Sequence, residues 1–157
     1  MHFMSETISD GVSERLFTLG DIPGVLWSPA GAEDPAHSRR PLVLLAHGGG
    51  QHKKAPAMQG RARRLVTACG FAAAAIDAPA SGDRPRTEQD ERFIAELRKK
   101  QIPRESGLAL FDAFASREKS LHANPGRHAD VPMFEVESSL RFFGRHLSPG
   151  GFPGGGG

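Results

Sequence analysis

The chain is 157 residues long, with 19 glycines, 12 prolines and a formal net charge of +2. That length predicts one domain, long enough to bury a sizeable core. The basic residues are scattered (Arg39 and Arg40, Lys53 and Lys54, Arg61, Arg63 and Arg64, Arg98 to Lys100), tyrosine is absent and Trp27 is the only tryptophan, so a nucleic-acid partner, which needs a basic stripe with stacking aromatics, is not expected.

Residues 1–11 are polar and predict a loose N-terminus without the apolar core of a signal sequence. Two short strand-like runs follow, 14–19 and 25–28, separated by Gly20-Asp-Ile-Pro-Gly24. That cluster of turn formers predicts an N-terminal β-hairpin. Residues 29–40 read as a polar loop. Residues 42–46 are continuously apolar between Pro41 and Gly48, the pattern of a strand covered on both faces in a parallel sheet.

Residues 58–69 predict a helix, with Leu65, Val66 and Cys69 on one side, Arg61, Arg63 and Arg64 largely outward, and Gly70 as the stop signal. Residues 71–76 are alanine-rich, which by propensity favours helix. Their position between Gly70 and Asp77-Ala-Pro79 predicts a second buried strand closing a β-α-β unit. A loop over 78–86 leads to a charged helix over 88–100 with a narrow apolar line of Phe93, Ile94 and Leu97, ended by Pro103. A further helix is expected over 105–116 (Leu108, Leu110, Phe111, Phe114), a strand over 119–123, and a last helix over 134–147. Residues 148–157 are a low-complexity, glycine-rich tail expected to be disordered.

Cys69 is the only cysteine, which excludes an intrachain disulfide; an inert buried thiol is the expectation. The seven histidines form neither His-x-x-x-His nor His-Glu-x-x-His, and His47 and His52 have no carboxylate beside them in their loop. Neither a metal nor another cofactor is expected. No apolar run approaches the roughly 18 residues that a bilayer requires, so no membrane partner is expected and a cytoplasmic location is.

Val43-Leu-Leu-Ala-His-Gly-Gly-Gly50 resembles the third strand and oxyanion loop of α/β-hydrolases of the dienelactone-hydrolase and esterase kind. In that family a backbone N–H of this loop helps to hold the oxyanion of the tetrahedral intermediate. The resemblance implies that Gly48, Gly49 and Gly50 line a site and that His47 positions the loop; the alternative is a tight βα turn with no ligand. Ile76-Asp-Ala-Pro-Ala-Ser-Gly-Asp-Arg84 resembles the loop after the family's fourth strand. The stretch from Ile102 through Glu118-Lys-Ser-Leu-His-Ala-Asn-Pro-Gly-Arg-His128 to the last helix resembles the end of the fold. There the resemblance implies that His128 stands where the family has its triad base, a neutral imidazole able to take and return a proton near neutral pH. His122, on the expected strand, is read as structural.

The family order is serine, acid, histidine. No serine of this chain lies in Gly-x-Ser-x-Gly, and Lys99-Lys100-Gln101 fill the place of the acid. The resemblance covers 14–86 and 102–147, joined at a seam near 87–101. The expected architecture is a single domain over 1–147: a reduced α/β-hydrolase-like fold, with a mostly parallel sheet of about five strands, an N-terminal hairpin and flanking helices. Without the family's next strand, one edge of the 42–46 strand is left unpaired. Either the 119–123 strand fills it, bringing His128 toward the glycine loop, or the edge stays open and the chain forms a homo-oligomer, aggregates or folds poorly. The implied function is hydrolysis of an ester or related acyl bond in a small molecule, with activity lost or weak for want of the serine and acid. Ser81, in a tight loop, is the one candidate substitute nucleophile. The alternatives are a non-catalytic binding or oligomerising module and a remnant without a role.

Overall fold

A computed structural model describes residues 1–31, 40–48, 50–99, 104–116, 119 and 132–148, with 97–99, 104 and 107 described by backbone alone. In chain order the elements are β1 (His2–Ser9), β2 (Val12–Leu19), β3 (Ile22–Pro29), β4 (Leu42–Leu45), α1 (Pro56–Cys69), β5 (Ala72–Ile76), α2 (Glu88–Lys99), α3 (Arg104–Ala113) and α4 (Met133–Leu147). The strands form one five-stranded sheet in the order β1-β2-β3-β5-β4.

The α/β architecture, the count of five strands, the hairpin of β2 and β3 and the unit β4-α1-β5 agree with expectation, although the fifth strand is the unexpected β1. The direction of pairing does not. Only β4 and β5 are parallel; β1 with β2, β2 with β3 and β3 with β5 are antiparallel. The sheet is therefore mostly antiparallel. The difference comes from the N-terminus, expected to be loose but folded as β1. Its residues are nearly all exposed, so burial leaves no hydrophobic alternation to read. What holds it is main-chain pairing through Asp10 and Gly11, both at positive φ (50° and 73°). That is the Asp-Gly signature of a two-residue turn whose twist matches a hairpin. The strand expected over 119–123 lies outside the described residues except for Lys119, as does the tail beyond Ser148.

The alanines of β5 form strand rather than helix because β5 lies between β3 and β4, hydrogen-bonded to both. Tertiary pairing of this kind overrides a propensity difference of less than about 1 kcal/mol per residue. Their small size also lets α1 lie close above. The main core is Val12, Val25, Trp27, Val43, Leu65 and Val66 with neighbours from β5, and Leu140 and Phe143 of α4 pack against it. Trp27 is fully buried and donates its indole N–H to Glu14 Oε2 at 2.8 Å. Glu14 also takes Lys54 at 2.6 Å. Burial pushes the Glu14 carboxyl upward, but the bonds from Lys54 and Trp27 outweigh it and hold the group below its usual range.

Helices α1 and α4 share one face of the sheet. On the other face a smaller cluster of Phe17, Leu26, Ala72 and Ala74, joined by Phe3, is covered by no helix of the described residues. The 42–46 strand was expected to be covered on both faces. Val43 is buried toward α1, whereas Leu44 is 77% exposed on the open side.

Gly24 shows how that open face is built. A Cβ placed there would stand 2.3 Å from the Phe17 ring. The ring lies flat over the glycine and needs the space that a side chain would fill. Replacement G24V is expected to destabilise the fold by about 1–3 kcal/mol, the usual cost of overpacking. Urea unfolding followed by Trp27 emission measures it, and the smaller side chain of F17A is expected to recover part of the loss in G24V/F17A relative to the two changes taken separately.

Candidate functional site

The parallel strands β4 and β5 end side by side, and the two loops that follow them form one end of the sheet. In open α/β sheets ligands bind at this carboxyl end of the strands. One buried carboxylate joins the two loops. Asp77, directly after β5, is fully buried. Its Oδ1 accepts the backbone N–H of Lys53 at 2.8 Å, and its Oδ2 accepts Lys53 Nζ at 2.6 Å and the N–H of Asp83 at 3.0 Å. Lys53 Nζ also meets Asp83 at 2.7 Å. Gly82 has a φ of +56°, and a Cβ there would stand 2.3 Å from the Asp77 carboxylate, so only glycine fits the turn.

Burial drives the Asp77 carboxyl toward its neutral form; the Lys53 ammonium and the two N–H groups outweigh burial and hold it below the ordinary carboxylate range. For Lys53 burial pushes downward, and Asp77 and Asp83 together push the ammonium above its ordinary range. Both groups are therefore charged at neutral pH, a paired and hydrogen-bonded ion pair in the protein interior.

His47 makes the second tie between the loops. Its Nε2 accepts the N–H of Ala78 at 3.1 Å, and its Nδ1 lies 3.0 Å from the carbonyl oxygen of Gly48. Because Nε2 accepts, the proton is assigned to Nδ1, which donates to Gly48. The histidine thus orients the start of the glycine loop and has no acceptor nitrogen left for a proton-transfer partner. The loop continues through Gly50 (φ +76°) and is closed by Gln51 N–H to the Gly48 carbonyl at 3.2 Å. The N–H groups of Gly48 and Gly50 make no hydrogen bond among the described residues.

Between the loops and the start of α2 lies an open hollow of about 580 Å³, lined among others by His47, Gly48, Gly50, Ser81, Arg86 and Phe93. Arg86 pairs with Glu91 at 3.4 Å, both largely exposed at its rim. Ser81 follows Ala80, a buried non-glycine residue at φ +61°. Of the residues expected to form the site, His47, Gly48 and Gly50 come together here; Gly49 and His128 lie outside the described residues. Sequence reasoning missed Lys53 and Asp83. Their only signal was an aspartate after a buried strand, which needs a cation, and nothing in the sequence places Lys53 opposite it, 24 positions earlier.

No group of three metal-ligating side chains forms among the described residues, and no helix among them is long and apolar enough to cross a membrane. The hollow offers backbone donors without a partner among the described residues, a guanidinium and apolar wall, but no imidazole with a free acceptor beside Ser81 among the groups that tie the two loops.

The replacement K53M leaves the Asp77 carboxylate buried without its cation and is expected to cost about 3–5 kcal/mol. The stability that Asp77 contributes is present above its ordinary pKa of 3.8 and is lost as pH falls through its lower folded value. That from Lys53 is present below 10.5 and is lost as pH rises through its higher folded value. Between those limits the pair contributes fully. In D77N the acid-side loss is expected to shrink, which urea unfolding at pH 3 to 7 measures against the parent chain.

No protein-family model matches the chain, and no curated protein matches its sequence. Among solved structures it is similar to a PEG-bound complex of a novel cold-adapted esterase from an Arctic intertidal metagenomic library, with a TM-score of 0.75 and 22% identity over 94% of this chain and 100% of that one. An S-formylglutathione hydrolase from Agrobacterium tumefaciens aligns with 53% of this chain and 31% of its own (18% identity, TM-score 0.42). An acetyl xylan esterase from Paenibacillus sp. R4 aligns with 55% and 27% (20% identity, TM-score 0.38). The first likeness shows the fold alone: this chain has the α/β architecture of that solved structure.

Proposed function

We propose that the chain binds a small ester-like molecule in the hollow at the ends of β4 and β5 and turns it over slowly or not at all. The ligand class follows the resemblance to dienelactone hydrolases and esterases. The single observation behind this reading is the pair of backbone donors at Gly48 and Gly50 that line the hollow and have no hydrogen-bond partner among the described residues, beside the ties that His47 and Asp77 make between the two loops. Such donors stabilise a developing oxyanion when the acyl oxygen lies about 3 Å from them.

The same geometry argues against fast turnover. Ser81 lines the hollow, but His47 has spent its acceptor on Ala78. His128 is the residue in the position of the triad base by resemblance, and the serine and acid it would work with are missing from the sequence. Triads lacking a member retain roughly 10³- to 10⁴-fold over water through the oxyanion hole and binding alone, which bounds the activity of this reading. It requires no cofactor. A second reading, an oligomerising module that uses the open sheet, is favoured by the apolar face around Phe17, Leu26 and Leu44, which no helix of the described residues covers.

Two measurements test the proposal. Titration with a short-chain ester such as ethyl butyrate is expected to shift the backbone amide resonances of Gly48 and Gly50; if they stay fixed while others move, the ligand is not held by this loop. Intact mass after exposure to a fluorophosphonate is expected to be unchanged, and H128A is expected to leave residual p-nitrophenyl acetate hydrolysis unaltered. A stoichiometric adduct would sink the slow-turnover half, and fragmentation would show whether Ser81 carries it.

A further inference from the structure

One wall of the hollow is the segment after β5: Ala78, Pro79, Ala80 and Ser81 all line it. Side chains that titrate hold this segment at both ends. At its start the Ala78 N–H donates to His47 Nε2 at 3.1 Å. At its end the Asp83 N–H donates to Asp77 Oδ2 at 3.0 Å. Between these ties residues 78–81 make a turn, closed by the Ser81 N–H to the Ala78 carbonyl oxygen at 3.1 Å. Pro79 stands second in it and Ala80 third, at φ +61°. A positive φ at the third position is the type II pattern, where glycine is usual. An alanine held there is strained, and such strain persists only where the surrounding contacts over-determine it. Flipping the Pro79–Ala80 peptide converts the turn to type I, which accepts proline second and most residues third. The wall therefore has two discrete arrangements, and the one observed is the strained one.

The two ties answer differently to pH. Burial pushes the Asp77 carboxyl upward, but Lys53 and two backbone N–H groups outweigh it and keep the group charged to below the ordinary carboxylate range. The His47 tie has no such reserve. It uses the one lone pair of a neutral imidazole, whose proton is assigned to Nδ1, facing the Gly48 carbonyl oxygen. A proton arriving at Nε2 sets an N–H against the Ala78 N–H, and the bond is lost. The charged neighbours do not compensate in place. In the loop after β4, Lys53 pairs with Asp77 and Asp83, and Lys54 pairs with Glu14. In the loop after β5, Arg84 donates to the Asp77 carbonyl oxygen at 3.4 Å. At the rim of the hollow Arg86 pairs with Glu91 of α2. Every carboxylate in this set already meets a cation. His52, the other imidazole of the loop after β4, accepts the Lys54 N–H through Nδ1 at 3.2 Å and does not line the hollow.

We infer that His47 is a proton-operated latch on the hollow: protonation at Nε2 releases Ala78, the Pro79–Ala80 peptide flips, and the wall formed by residues 78–81 moves while the Asp77 tie holds. Histidine is the side chain whose charge ordinarily changes between about pH 5 and 8. The latch therefore opens on mild acidification, before the acid-side loss of the Asp77 pair. Both requirements of a switch are met, a local charge change and a bistable element that it biases. The inference concerns the hollow whatever fills it and does not rest on the ester reading.

The test follows the backbone amide and imidazole resonances of the whole chain from about pH 8 to about pH 5. The Ala78 and Ala80 amides are expected to move with the His47 ring at one shared midpoint. Protection of the Ala78 amide from exchange, relative to that of Asp83, is expected to fall about tenfold, the equivalent of one lost hydrogen bond. The Lys53 and Asp83 amides and Trp27 emission are expected to stay those of the folded chain. H47Q keeps an acceptor that does not titrate and is expected to abolish the movement, whereas H52Q is expected to leave it. A80G removes the strain, stabilises the tied turn and is expected to shift the midpoint to lower pH. The inference is overturned if the His47 ring titrates while Ala78 and Ala80 stay fixed, if the movement persists in H47Q, or if A80G leaves the midpoint unchanged. Movement of the Lys53 and Asp83 amides and of Trp27 emission together with Ala78 shows general acid unfolding and equally excludes a latch.

Discussion

The buried carboxylate of Asp77 is the point on which the carboxyl end of the sheet depends. A charge removed from water is costly unless it is paired and hydrogen-bonded. Asp77 meets this condition with an ammonium and two backbone N–H groups drawn from two different loops. The loop after β4 and the loop after β5 cannot separate without exposing an unpaired charge to the protein interior. Glycine at position 82 follows from the same constraint, because the turn presses directly on the carboxylate. The hollow between these loops inherits its geometry from this pair and from His47 beside it.

The sheet is built from one side. Trp27, Val25, Val43 and the alanines of β5 meet α1, and α4 closes the same layer. Alanine in the centre of the sheet brings α1 close and leaves a shallow surface on the other side, where only Phe17, Leu26 and their neighbours supply bulk. An apolar sheet face is normally covered by a further layer, and no helix of the described residues supplies one here. The open face and the unpaired outer side of β4 both belong to the side of the sheet away from α1 and α4, among the described residues.

Much of this was legible locally. The turn formers between Leu19 and Val25, the apolar run ahead of His47, Gly70 at the helix end and the periodicity of α1 and α4 are short-range signals, and the elements appear where those signals lie. The β5 strand was legible only through its position, since its alanines alone argue for helix. β1 escaped because an exposed strand carries no burial pattern; Asp10-Gly11 was its one signal. Of the candidate site, His47, Gly48 and Gly50 were legible through a motif, whereas Lys53 and Asp83 were not. An ion pair between residues 53 and 77 is a fact of loop packing, and no local pattern encodes it.

By itself, then, the sequence determined an α/β chain with a glycine loop after a buried strand and with no serine in Gly-x-Ser-x-Gly. Those are properties of residue identity and spacing, and they survive any arrangement of the elements. Only the tertiary structure decided that the sheet runs mostly antiparallel, that His47 spends its free nitrogen on the neighbouring loop, and that one apolar face of the sheet is covered by no helix of the described residues. Each of these depends on which segments meet across long separations in the chain, and burial, hydrogen-bond partners and exposed area exist only once they have met.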